Sequence, residues 1–147
     1  MQANADPLPG VWKLVSYSAR DVDTGEVIFP YGQHATGYLI YVAGQRMSAL
    51  VTAEGRKPLS NPNQVPSSVE ERAEAFSTST ADVGSYRWEG DRVVHNVDVA
   101  VNQNWVGAEQ VRMARLEGNR LTLTTPSTPT HPDAKVRVGT LVWERIA

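Results

Sequence analysis

Apolar residues in this chain come in short runs broken by Gly, Pro, Asn and Asp, a pattern that predicts many short strands rather than long helices. The first run covers 10–17 and opens Gly10-Val11-Trp12-Lys13-Leu14. A second, 36–42, ends at the turn signal Ala43-Gly44, and a third, 46–52, follows at once, so the two predict a hairpin. Strand alternation places Leu39 and Tyr41 on one face of the second run, and Met47, Ala49 and Val51 on one face of the third, as interior wall. The pairs 85–89 with 92–101, and 110–116 with 120–125, flank the turns Gly90-Asp91 and Glu117-Gly118-Asn119. A last strand is expected over 136–146.

Between these runs the pattern changes. Pro58, Pro62 and Pro66 mark an irregular loop, and Pro126, Pro129 and Pro132 a long connection. Ser67 with Glu70, or Ser68 with Glu71, fits a capping box ahead of one predicted helix over 69–81, with Ala73, Phe76 and Thr80 on a common face. That helix is expected to lie as a lid over an open end of the sheet. About eight strands joined mostly by hairpins predict an all-β fold, a closed antiparallel up-and-down β-barrel or else a sandwich. One domain is expected over 1–147.

Composition narrows the chemistry. The absence of cysteine removes disulfides, thiolate metal sites and a cysteine nucleophile. A net charge of −2 with mixed signs lacks the basic footprint of a nucleic-acid binder, and no apolar stretch reaches membrane-span length. The first residues lack the basic and apolar regions of a secretory signal, so a cytoplasmic location is expected. His34 and His131 stand in loops without a second ligand at metal spacing, and there is no Gly-rich phosphate loop, so neither metal nor cofactor is expected.

The run 92–101 carries the most chemistry. Alternation sets Val93, His95, Val97, Val99 and Val101 on one apolar, inward face, against Val94, Asn96, Asp98 and Ala100. A histidine among valines is either a core residue bonded to a neighbour or an acid, base or ligand anchor. Tyr86 and Trp88 share a face of the preceding strand, from which Tyr86 is expected to reach His95 or a ligand. Arg112 alternates with Gln110, Ala114 and Leu116 against Val111, Met113 and Arg115, and periodicity alone leaves its face open. Trp105 sits in the turn 102–107, covering a barrel end or lining its mouth.

The opening Gly10-Val11-Trp12 resembles the Gly-x-Trp start of lipocalins, and Arg145 matches the arginine those barrels carry on their last strand. More specifically, the chain resembles the bacterial and fungal lipocalin-like domain family. The resemblance runs through 37–41, 44–49, Gly84-Ser85-Tyr86, Val94-His95, Asn104-Trp105-Val106-Gly107, Gln110-Val111-Arg112 and 116–121, in order along nearly the whole length. It departs at Gln103, where a proline is expected. The resemblance implies a lipocalin-like barrel, an Arg145 packed over Trp12 to close one end, and an inward Arg112.

Three functions follow as expectations. The leading one is a binding barrel whose pocket, lined by Leu39, Tyr41, Met47, Tyr86, Trp88, His95, Val97, Trp105 and Arg112, takes a small, largely apolar organic molecule with a polar function. The second is a cofactor-independent isomerase, cyclase, dehydratase or lyase, with His95 moving a proton and Tyr86 or Arg112 steadying an oxyanion. The third is a barrel filled by its own side chains. The outer face of such a barrel also admits a homodimer.

Overall fold

A computed structural model of the chain describes residues 5–61, 67–129 and 133–147. The alternating runs form β1 (Gly10–Asp21), β3 (Thr36–Val42), β4 (Arg46–Thr52), β5 (Ser79–Trp88), β6 (Arg92–Ala100), β7 (Glu109–Glu117), β8 (Arg120–Thr124) and β10 (Val136–Arg145). Two-residue strands β2 (Val27–Ile28) and β9 (Thr128–Pro129) add to these, the second within the stretch that reads as a Pro-rich connection. Each long strand pairs antiparallel with the next, and β10 returns to β1 with Trp12 opposite Arg145, so eight strands close into a barrel. Closure leaves no long unpaired edge.

Register follows side-chain alternation. In β3, Gly37, Leu39 and Tyr41 are buried while their neighbours are exposed, and Leu39 and Tyr41 face Ala49 and Met47 of β4. Two bulges interrupt the rule. One lies at Val15 of β1, and the other inserts Asp98 into β6, where Gly84 pairs with Val97 but Val83 pairs with Val99. The second corrects the expected inward row: Val93, His95 and Val97 face in, whereas Val99 is 63% exposed and Val101 also lies outside.

The helix also differs from its expected span. α1 covers Val69–Ser77, with Ser68 as its cap: Glu71 N–H donates to Ser68 Oγ at 3.1 Å, and Ser68 Oγ–H donates back to Glu71 Oε1. It stops early because Thr78 and Ser79 turn their hydroxyls onto the carbonyls of Glu74 and Ala75, and Ser79 and Thr80 join the sheet opposite Thr52 and Val51. The expected lid face does not form. α1 buries no residue, and Ala73 and Phe76 are exposed. Pro62, Pro66, His131 and Pro132 lie outside the described residues.

One end of the barrel is stopped by the segment before β1. Leu8 is fully buried beside Trp12, whose indole N–H donates to the Leu8 carbonyl at 2.9 Å. The Arg145 guanidinium lies 4.3 Å from the Trp12 ring centroid and donates to the carbonyls of Pro7 and Pro9. Above this plug, Leu14, Leu39, Tyr41, Met47, Val51, Tyr86, Val93, Leu121, Leu123 and Trp143 make one core.

Candidate functional site

Neighbouring strands bring three rings together inside the barrel. Tyr86 of β5 stands opposite His95 of β6, and Tyr41 of β3 reaches across to them. It is Tyr41, not Tyr86, that bonds the histidine: its hydroxyl lies 2.7 Å from His95 Nε2. Tyr86 packs edge-on against Tyr41, with centroids 4.6 Å apart, and donates its hydroxyl to Asp6 Oδ2 at 2.6 Å. Of the two expectations for Tyr86, reaching His95 or a ligand, the first gives way to a tie to the segment before β1.

Burial holds His95 uncharged. It is 5% exposed, and loss of water, with the positive Arg112 nearby as the smaller cause, brings its pKa down to about 3. Burial pushes the Tyr41 phenol well above its usual value, so the phenol keeps its proton. A neutral imidazole and a protonated phenol pair one way without orphaning the hydroxyl hydrogen: Tyr41 O–H donates to Nε2, and the ring proton resides on Nδ1.

The face that periodicity left open is settled for Arg112. Arg112 stands opposite Val93, and Gln110 opposite His95, so both share the inward face of β7 with Ala114 and Leu116, while Met113 is half-exposed outside. The guanidinium donates to the Val111 carbonyl at 3.0 Å and to Gln110 Oε1 at 3.2 Å. Burial weighs against its charge, and Asp82 is the strongest group favouring it, followed by Tyr41 and Tyr17.

Asp82 is the member of this group that sequence reading missed. It stands on β5 opposite Ala49, hence on the inward face, and is 7% exposed. Its Oδ2 is buried with no hydrogen-bond partner. Burial raises its pKa, and the Arg112 charge opposes the rise. Thr80, two residues earlier and opposite the inward Val51, likewise has a buried hydroxyl oxygen without a partner. Tyr17, on β1, stacks on Tyr31 with centroids 5.6 Å apart and feels the same Arg112 charge. The signal for Asp82 was alternation back from Trp88 through Tyr86 and Gly84, hidden because 69–81 read as helix.

Of the other anticipated lining residues, Leu39, Met47 and Val97 are buried, and Trp88 is half-buried against the core. Trp105 sits apart from that cluster, half-buried on the one-turn helix Gln103–Trp105 between β6 and β7. Outside the barrel, a groove of about 610 Å³ separates α1 from the loop before it, lined by residues including Arg56, Leu59, Glu71 and Thr78. Among the described residues no His, Asp or Glu cluster is arranged to hold a metal ion. No helix among them is long and apolar enough to cross a membrane.

Comparison with curated proteins gives no match. Among solved structures, the crystal structure of a mutant of the fluorescent protein UnaG is similar over 94% of this chain and 95% of that one, at 14% identity and a TM-score of 0.39. The family model described as "Lipocalin-like domain" matches residues 9–146. That span takes in all eight barrel strands and the Trp12–Arg145 closure, and the chain belongs to the lipocalin-like domain family.

Proposed function

We propose that this barrel binds a small, largely apolar organic molecule bearing a polar function, held inside the wall between the Tyr41–His95 pair and Arg112. The observation that carries this reading is the accessibility of side chains that point inward. Ala49, Ala114, Leu141 and Tyr17 pack against the core cluster, yet each keeps partial contact with solvent. A barrel filled by its own side chains would bury them, as it buries Trp12 and Leu121 at the plugged end. Binding there would cover apolar wall and leave a few convergent polar groups to orient the guest.

The state of His95 favours binding over catalysis. A general acid or base works best with a pKa near the working pH, and an imidazole whose pKa lies at about 3 is a poor proton shuttle at neutral pH. Its bond to Tyr41 suits it to shape and polarity recognition. Native mass spectrometry of protein purified from its own host is expected to show a co-purified small molecule. The apolar dye N-phenyl-1-naphthylamine is expected to bind saturably, and Ala114→Trp, which fills the inward face of β7, is expected to weaken it by about tenfold or more. The absence of both a co-purified mass and saturable dye binding sinks the reading.

A further inference from the structure

Inside the barrel, the buried carboxylate of Asp82 and the partly buried guanidinium of Arg112 do not satisfy each other. Arg112 gives hydrogen bonds to two neutral oxygens, those of Val111 and Gln110, while Asp82 Oδ2 is buried without a donor. Buried acceptors are rarely left so, and such an atom calls for a donor that the chain does not supply. Thr80 repeats the pattern on the same face of β5, with a buried hydroxyl oxygen that also lacks a partner.

Resting on the binding reading above, we propose that Asp82 and Thr80, under the charge of Arg112, form a subsite for an uncharged group with a hydrogen-bond donor beside an acceptor, such as a primary carboxamide or a lactam, at one end of an apolar ligand. Two arguments select that class. Residues two apart on a strand stand about 6.6 Å from each other, a span that the N–H and C=O of one amide cross with two ordinary hydrogen bonds. The amide N–H donates to Asp82 Oδ2, and its carbonyl accepts from the Thr80 hydroxyl. Charge balance gives the second argument. Asp82 and Arg112 offset one another across the interior, so an anionic guest meets the carboxylate and an ammonium meets the guanidinium, each at a penalty that a neutral group escapes. Ala49, opposite Asp82, is small and partly accessible.

The test uses the intact chain and a matched series, nonanamide, nonanoate and nonylamine, displacing N-phenyl-1-naphthylamine. In the wild type, nonanamide is expected to displace the dye at about tenfold lower concentration than either charged analogue. Asp82→Asn keeps the shape and removes the charge, so Arg112 stands uncompensated. The order is then expected to invert, with nonanoate displacing about tenfold better than nonanamide. Thr80→Val, a second near-isosteric change, is expected to weaken nonanamide about fivefold and leave nonanoate unchanged. Equal displacement by the three analogues, or the same ranking in wild type and both variants, overturns the subsite while leaving the binding barrel standing. Failure of the dye itself to bind overturns this subsite, and together with the absence of a co-purified mass it removes the binding reading as well.

Discussion

An imidazole set among Val93, Val97 and two tyrosine rings loses the water that would solvate its cation, and Tyr41 offers a hydrogen bond that suits the neutral ring. The consequence for stability has a definite sign. His95 is uncharged in both folded and unfolded chains above its ordinary value of 6.5, so its full contribution is present there. Below 6.5 the unfolded chain takes up a proton that the folded chain refuses down to about 3, and stability falls across that window. The gap corresponds to about 5 kcal/mol at its acid limit, of which about 2 kcal/mol is lost between pH 6.5 and 5. Asp82 acts in the opposite sense: its raised pKa relieves a buried charge as pH drops. Chemical denaturation at pH 7 and pH 5 is expected to show the loss in the wild type and a flatter profile in His95→Gln; equal slopes rule out His95 as the titrating group. This inward histidine was legible in the sequence, because alternation places it among valines. Its partner was not: alternation put Tyr41 inside without saying which ring its hydroxyl would meet, and the nearer Tyr86 spends its hydroxyl on Asp6.

At the scale of elements, the hairpin of β3 and β4 follows directly from its pattern, since a strict period of two and the Ala43-Gly44 turn admit one register. The β5–β6 pair did not, and a single inserted residue explains why. Asp98 bulges from β6, which turns Val99 and Val101 outward although they continue the valine alternation. A bulge leaves the hydrophobic pattern unchanged, so no periodicity exposes it. Its trace in the sequence is Gly84. A Cβ built there would stand 1.9 Å from the Asn96 carbonyl oxygen and 3.1 Å from the Asp98 amide nitrogen. Both obstacles are backbone, with no side chain free to swing aside. Gly84→Ala is therefore expected to cost about 3 kcal/mol, at the upper end of what overpacking does, with the midpoint of urea unfolding as the measure. A midpoint matching the wild type would mean that the bulge relaxes freely. The same β5 residues account for the missed carboxylate. Thr78, Ser79 and Thr80 tolerate either state, the capping signal at Ser68 extended the helix through them, and Asp82 fell at its end rather than on a barrel wall.

For the molecule as a whole, one end of the barrel is stopped by the chain itself. The end near Gly10 is sealed by chain from both termini. Arg145 stacks on Trp12 and holds the carbonyls of Pro7 and Pro9, Leu8 fills the space beneath, and Asp6 ties the segment to Tyr86. Gly10 permits the close approach, since a Cβ there would lie 2.6 Å from both Arg145 Nη1 and the Ala147 carbonyl oxygen. The orphaned atoms of Thr80 and Asp82 lie further along β5, away from this plug, on the half of the strand paired with Ala49 and Val51. On the proposed binding, the stopped end sets the orientation of a guest, its apolar part toward the Trp12 core and its polar part toward Asp82 and Thr80. The stopper should then be separable from the site. Arg145→Ala removes a cation–π contact and two charge-assisted hydrogen bonds at a partly exposed position, and about 2–3 kcal/mol of stability is expected to go with them. Arg145→Lys should recover less than half, because an ammonium neither lies flat on the indole nor forks to two carbonyls. Hydrogen exchange at the Trp12 indole N–H is expected to quicken in both variants, while dye affinity, read at a temperature where each remains folded, holds within about twofold. Loss of dye binding in step with faster indole exchange would show instead that the plug shapes the pocket, and the two ends would have to be treated as one site.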